Sequence, residues 1–299
     1  MTVDKKNIVH EPQNTWGGNW TDKKLDAFSK YVASYLKIMS KHSYWETIYF
    51  DGFAGSGDRK KVCDSKLYKN LFITEEEEKT YKGAAERVLT LPDGLRFNYY
   101  YFIDKNIESL KRLEQKLKNI PASKDVNIQY REGDCNMYLG ELANAMKKNP
   151  KKYASLVLLD PFGMQIEWNS IASLRGTRSD VWILVPTGVI VNRLLDKKGE
   201  LKHVERLESF FGLSSEEIKK MFYKQEHTRT LFGEETIIRK VSKPIEKIAT
   251  IYSQRLKTIW KYVSEEPLVM LNTRNVPIFH FVFASNNKNA LKIATEIIQ

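Results

Sequence analysis

The spacing of apolar residues changes period several times along the chain, and each change marks an element. From Thr21, a good N-cap, Leu25, Phe28, Tyr31, Val32, Tyr35 and Leu36 recur at helical spacing. Trp20 ahead of the cap is placed to staple the helix start. Ile48-Tyr49-Phe50 then reads as a strand ending in Asp51, followed by the small-residue turn Gly52-Phe53-Ala54-Gly55-Ser56-Gly57. Three more apolar runs end in or just before acids. Residues 98–103 lead to Asp104, residues 126–130 to Glu132-Gly133-Asp134-Cys135-Asn136, and residues 156–159 to Asp160-Pro161-Phe162-Gly163. A fifth run, 180–186, is apolar almost throughout, as expected of a strand covered on both faces. Helices are predicted from Lys82-Gly83-Ala84-Ala85 onward, over 106–118, over 136–148 and over 168–174.

Beyond the fifth strand, residues 190–225 read as helical and basic. Residues 244–262 read as one long amphipathic helix with Pro244 at its start. Strands at 268–271 and 278–284, joined through Thr273-Arg274-Asn275, and a helix running to Gln299 complete the chain. Asp51 and Asp104 are 53 residues apart, whereas in dinucleotide folds the comparable acid lies about 20 residues past the glycines. An insertion is therefore expected at 58–80, with Glu75-Glu76-Glu77-Glu78 as a solvated run. Five strand–helix units and a terminal strand pair make the class α/β, mostly parallel. The chain divides into a helical extension 1–45, an insertion plus first helix 58–95, a helical basic insertion 187–262, and a terminal strand pair and helix 263–299. All belong to a single domain, 1–299.

Composition narrows the function classes. Two cysteines, Cys63 and Cys135, supply no disulfide framework and no metal cluster, and five scattered histidines show no ligand spacing. No metal is expected. No apolar run reaches the ~20 residues of a membrane span, and the first residues carry no signal-peptide core, so a cytoplasmic protein without a membrane partner is expected. The net charge is +11, and residues 197–261 hold 15 Lys plus Arg against 9 Asp plus Glu. Such a surplus suits a polyanion such as nucleic acid; a solvated lysine-rich surface is the alternative.

The first glycine turn narrows the ligand. A strand feeding such a loop places it at the carboxyl end of a parallel sheet, where open α/β sheets bind nucleotide-like ligands; a plain strand-to-helix turn is the bland reading. Gly52 and Gly57 have P-loop spacing, but Asp58-Arg59 stand where Lys-Ser/Thr is required. Gly55 and Gly57 begin a dinucleotide fingerprint, but Lys60 replaces its third glycine. What remains is the nucleoside site of S-adenosylmethionine (SAM) enzymes. Asp51-Gly-Phe-Ala-Gly-Ser-Gly resembles motif I of class I methyltransferases, in the variant seen in several DNA and RNA methyltransferases.

With Trp20…Lys24-Leu25, Gly133-Asp134-Cys135-Asn136, Leu159-Asp160-Pro161-Phe162-Gly163 with Glu167-Trp168, and residues 180–186 with Asn192-Arg193, the chain is identified as resembling the three-Cys-motif partner (TcmP) family, a methyltransferase-like group. The resemblance spans residues 20–193. It departs where the family has Gly-Ser-Pro and this chain has Gly83-Ala84-Ala85. It implies a Rossmann-like class I methyltransferase fold with a seven-stranded sheet in the order 3-2-1-4-5-7-6, helices on both faces and a helical insertion. It implies SAM as cofactor, framed by Asp51, Gly52, Phe53, Gly55 and Gly57, with Asp104 on the ribose hydroxyls and Asp134, Cys135 and Asn136 at the adenine. Trp20, Lys23 and Lys24 would edge the pocket; core packing for Trp20 and solvent for the lysines is the alternative. Asp160-Pro161-Phe162 is similar to the Asp/Asn-Pro-Pro-Tyr/Phe motif of amino-methyltransferases, lacking the second proline. Asp160 would accept from an exocyclic amine and Phe162 would stack on a flipped base; the alternative is a strand-end acid with Phe162 in the core. Cys135 reads better as a packed small residue than as a nucleophile. Trp168 and Arg193 are outer candidates for the substrate, Arg193 for a phosphate. The resulting expectation is a SAM-dependent methyltransferase acting on an exocyclic amine of nucleic acid, with a protein bearing the three-Cys motif as a candidate partner. A small-molecule or protein methyltransferase, and a non-catalytic methyltransferase-like binding module, are the alternatives.

Overall fold

The computed structural model describes residues 18–55, 83–124, 126–161, 163–230, 233–272 and 275–299. The expected insertion 58–80, the side chain of Trp20, Gly57, Phe162, and the turn residues Thr273 and Arg274 lie outside the described residues. In chain order the elements are α1 (Gly18–Met39), β1 (Glu46–Asp51), α2 (Gly83–Leu89), β2 (Tyr99–Asp104), α3 (Ile107–Lys118), β3 (Asn127–Glu132), α4 (Cys135–Lys148), β4 (Tyr153–Leu159), α5 (Trp168–Ser173) and β5 (Ser179–Val185). A π-helical turn, Thr187–Val191, then leads through α6 (Asn192–Leu194), α7 (Val204–Phe211) and α8 (Ser215–Phe222) to β6 (Tyr223–Thr230) and β7 (Gly233–Lys240). The chain closes with α9 (Pro244–Leu256), β8 (Tyr262–Val263), β9 (Leu268–Leu271), β10 (Pro277–Ser285) and α10 (Lys288–Ile298).

The fold is α/β with a mostly parallel sheet. Strands β3-β2-β1-β4-β5 run parallel in that order, and β10 joins antiparallel beside β5. The place expected for a single sixth strand is shared by two short ones, since both β8 and β9 pair with β10. The expected helix at 244–262 ends at Leu256, and Tyr262 begins β8. The stretch 187–262 is not helical throughout either. Its first three helices are short, with Gly199 and Gly212, both of positive φ, in the turns between them, and residues 223–240 form the antiparallel β6–β7 hairpin. Thr228, Thr230, Thr236, Ile237 and Ile238 favour strand over helix. At the other end of the chain, α1 starts at Gly18, so Thr21 lies in its first turn rather than capping it.

Period-two alternation builds a core on each face of the sheet. Ile48 and Phe50 of β1 join Val157, Leu159, Val181 and Ile183 beneath α4, α5, α7, α8 and α9. Tyr49 points the other way, with Leu156, Leu158, Trp182 and Phe281, beneath α1, α2, α3 and α10. There α1 lays Leu25, Phe28, Tyr31, Val32, Tyr35 and Leu36 on the sheet, all buried. Phe28 meets Tyr49, Trp182 and Phe281 with centroid separations of 6.2, 6.4 and 6.5 Å, and Tyr31 meets Phe283 at 4.8 Å. Among the described residues, no helix is long and apolar enough to cross a membrane.

Strand register also sets the functional end of the sheet. Asp51 aligns with Phe102 on β2 and Leu158 on β4. Asp104 and Asp160, two residues further along, therefore emerge beside it, and Asp134 follows two residues beyond Glu132, the partner of Asp104. At the far side of β5, the backbone of Gly188 lies so close to β10 that a Cβ would overlap the Pro277 carbonyl. Gly188→Ala is expected to lower unfolding free energy by about 1–3 kcal/mol, the usual cost of overpacking, as read from urea unfolding. Unchanged stability would contradict the close approach.

Candidate functional site

Four acids meet at the carboxyl ends of β1 to β4, and each has a different environment. Asp51 is buried at 2% exposure. Its Oδ1 accepts from the Phe53 amide at 3.1 Å and its Oδ2 from the Tyr49 hydroxyl at 3.2 Å. Burial pushes its carboxyl up to about 7; the Phe53 amide opposes this, the charge of Asp160 adds to it, the Tyr49 hydroxyl opposes it and Asp104 adds again. Gly52 follows with its amide on the Leu158 carbonyl at 3.0 Å, and a Cβ there would overlap Cys135 Sγ. Phe53 is half-buried.

The β1 loop is held by the acid of β2. Asp104 Oδ2 accepts from the Gly55 amide at 3.0 Å, and its Oδ1 from the Asn106 amide at 2.7 Å. A Cβ on Gly55 would overlap this carboxylate, so only glycine allows the loop and Asp104 to meet. Asp104 is half-buried, and each oxygen retains acceptor capacity for a further donor.

Asp134 caps α4, accepting from the Asn136 amide at 2.8 Å and from Asn136 Nδ2 at 2.9 Å. Lys105 pairs with its other oxygen at 2.7 Å. Against the upward pull of burial, Lys105 and the Asn136 amide hold this carboxyl below its ordinary value. Asn136 does more than sit beside the acid. Its Nδ2 also donates to the Gln165 carbonyl and its Oδ1 accepts from the Glu167 amide, both at 2.9 Å. The side chain thus ties the end of β3 to the loop after β4. Cys135 is buried, its thiol pushed well up by burial, in keeping with a packed residue.

Asp160 is buried against a lysine from the other end of the chain. Lys24 Nζ donates to Asp160 Oδ2 at 2.5 Å, each side chain 3% exposed. Lys24 lies on the apolar stripe of α1, four residues before Phe28, which is the signal that separates it from the exposed Lys23. Pro161 is buried. The structure therefore brings Asp51, Gly52, Phe53, Gly55, Asp104, Asp134, Cys135, Asn136, Asp160 and Pro161 to one end of the sheet.

The two outer candidates differ. Trp168 is 5% exposed, wedged between Tyr252, which meets it edge-on at 6.1 Å, and the Arg255 guanidinium 4.5 Å from its ring centroid. Gly212, of positive φ, lies against the same ring. Trp168 is thus a core residue supporting α7 and α9. Arg193 is exposed on α6, beyond the carboxyl end of β5.

No family model and no curated protein matches the chain. Among solved structures, a Legionella pneumophila protein is similar over 91% of this chain and 98% of its own, at 12% identity and a TM-score of 0.37. A Methanosarcina mazei protein described as a SAM-dependent methyltransferase is similar over 82% of this chain and 94% of its own, at 12% identity and a TM-score of 0.32.

The raised carboxyl of Asp51 has a sign that can be checked. Its folded value of about 7 lies above the ordinary 3.8, so between these values the folded protein binds more protons than the unfolded one. Stability contributed by the neutral acid is therefore lost as pH rises through that window. Relative to wild type, Asp51→Asn is expected to gain up to roughly 4 kcal/mol between about pH 4 and pH 8, measured by urea unfolding at each pH. A pH-independent difference would contradict the assigned environment.

Proposed function

We propose that the chain is a SAM-dependent methyltransferase of the three-Cys-motif partner type, acting on an exocyclic amine of nucleic acid. The observation that carries the reading is the Gly55–Asp104 contact at the end of a parallel sheet, with Asp51 and Asp134 on either side. An acid two lone pairs short of saturation, beside a glycine loop, is suited to the paired hydroxyls of a ribose. The residues present fit the cofactor in chemistry: Asp104 for the ribose hydroxyls, the Asp134 region for the adenine, and the loop Asp51 to Gly55 for the amino-acid portion. Bound there, SAM supplies an electrophilic methyl group.

What the chain supplies is position. Methyl transfer to a lone pair needs alignment more than acid–base help. Asp160, paired with Lys24, is the proposed acceptor for an amine N–H, and Phe162 in the adjoining position is the proposed stacking platform. Arg193 would take a phosphate. The basic surplus of +11 supports a polyanionic substrate. It is not carried by the β6–β7 hairpin, where Arg239 pairs with Glu226 at 2.8 Å and Lys240 donates inward to Asn192 and Leu195.

One observation favours a second reading, a methyltransferase-like binding module without turnover. Asp160 Oδ2 is already taken by a buried ammonium, and Asn136 is committed to holding the loop after β4. Calorimetric titration with SAM and S-adenosylhomocysteine separates the outcomes. Wild type is expected to bind both at micromolar concentrations, and Asp104→Ala to bind at least tenfold more weakly. Binding without methylation of DNA or RNA supports the module; no binding by wild type overturns the cofactor assignment.

A further inference from the structure

The β6–β7 hairpin forms a sheet of its own, and a lone pair of strands is marginal in water until further strands or a covering element support it. Only its base is tied down. The Tyr223 hydroxyl donates to the Asp196 carbonyl at 2.8 Å, Lys240 Nζ donates to the carbonyls of Asn192 and Leu195, and Ile238 lies against Gly199. Both isoleucines of β7 nevertheless keep much of their surface in water: Ile237 is 36% exposed and Ile238 42%.

The ladder fixes which backbone groups of β7 are taken. The Val241 amide donates to the Phe222 carbonyl at 2.8 Å. Hydrogen-bonded pairs alternate along an antiparallel ladder. Arg239, Ile237, Glu235 and Gly233 therefore turn their backbone groups inward, to Lys224, Glu226, Thr228 and Thr230. Glu234, Thr236, Ile238 and Lys240 turn theirs outward. Among the described residues, no backbone hydrogen bond reaches that outer edge. Proline and bulges commonly blunt such an edge; β7 has no proline, and its register with β6 is unbroken.

The residue order along this edge is self-complementary. β7 begins with Glu234-Glu235 and ends with Arg239-Lys240, with Thr236-Ile237-Ile238 between. Laid antiparallel against a second copy, with the two-fold axis at Ile237, Glu234 stands opposite Lys240, Glu235 opposite Arg239, Thr236 opposite Ile238, and Ile237 opposite itself. The same alignment brings the outward-turned residues 234, 236, 238 and 240 opposite one another, as the ladder requires. Moving the axis to Thr236 or Ile238 keeps that parity but loses both charge pairs. Lys240 is held inward, so the charge match falls on Glu235 and Arg239. Arg239 already pairs with Glu226 at 2.8 Å, and a guanidinium has further N–H groups for a second carboxylate.

We propose that the chain forms a two-fold dimer through the outer edges of two β7 strands, giving a four-stranded antiparallel sheet. A second copy is the occupant because β7 itself meets both requirements, the direction of charge and the parity of hydrogen bonding. The contact is closed, since pairing uses up the β7 edge of each copy. It is independent of the methyltransferase reading.

Sedimentation equilibrium of the full chain, up to several hundred micromolar, tests this. The mass is expected to rise with concentration towards twice 34.9 kDa and to stop there. Glu235→Arg and Arg239→Glu each set like charges opposite one another twice per dimer, and each alone is expected to weaken association roughly tenfold or more. Mixed in equal amounts, the two variants are expected to recover the dimer, because each then meets the opposite charge at both positions. Thr236→Pro removes an outward amide without touching the bonds to β6 and is expected to weaken association by a similar factor. The proposal is overturned by a wild type that stays monomeric throughout, by single variants that are folded by circular dichroism and associate as wild type does, or by a mixture that stays monomeric. Growth beyond the dimer would also overturn it, by showing head-to-tail pairing in place of a closed contact.

Discussion

The buried pair between Lys24 and Asp160 is the constraint on which the arrangement of this protein depends. An ammonium and a carboxylate, each 3% exposed and 2.5 Å apart, tolerate removal from water only together. The pair joins α1, near the start of the described chain, to the end of β4, in the middle of the sheet. Seven residues along the same helix, Tyr31 bonds Asp180 at the amino side of β5. Seven helical residues rise about 10 Å, so α1 spans the sheet and is bonded near both ends. Between the two polar contacts, Phe28 meets Tyr49, Trp182 and Phe281. The helix is therefore part of the sheet's covering layer and not an appendage.

The carboxyl end itself is ordered by strand register. With β1 in register between β2 and β4, the acids at 51, 104 and 160 arise from strand geometry alone. What distinguishes them is environment. Asp51 is enclosed and raised, Asp134 is paired with Lys105 and lowered, Asp104 is tied to two amides, and Asp160 to an ammonium. One residue type at four strand ends thus yields four electrostatic settings.

Much of this was legible in the sequence because strands betray themselves by short apolar runs, and their carboxyl ends by the acids that follow. Asp51, Asp104, Asp134 and Asp160 were located that way. Other features depend on partners distant in sequence. Lys24 reads as a surface lysine until its place on the apolar stripe of α1 is weighed, and its partner is 136 residues away. Asn136 looked like a ligand contact, but its amide spans to Gln165 and Glu167. Trp168 looked available to substrate, but Gly212 and Arg255 enclose it. The β6–β7 hairpin was missed because charged residues interrupt its β-prone positions, obscuring the period-two signal next to strongly amphipathic α8. Phe162 and Gly57 lie outside the described residues, so their roles rest on the motif.

The most direct test of the bracing is a double-mutant cycle on its central contact. Lys24→Met, Asp160→Leu and the double variant are compared with wild type by urea unfolding. Each single variant is expected to lose about 3–5 kcal/mol, since it leaves one buried charge alone. The double variant is expected to recover most of that loss, giving a coupling of several kcal/mol. Additive losses in the double variant would contradict the pairing and, with it, the seating of α1 over the site.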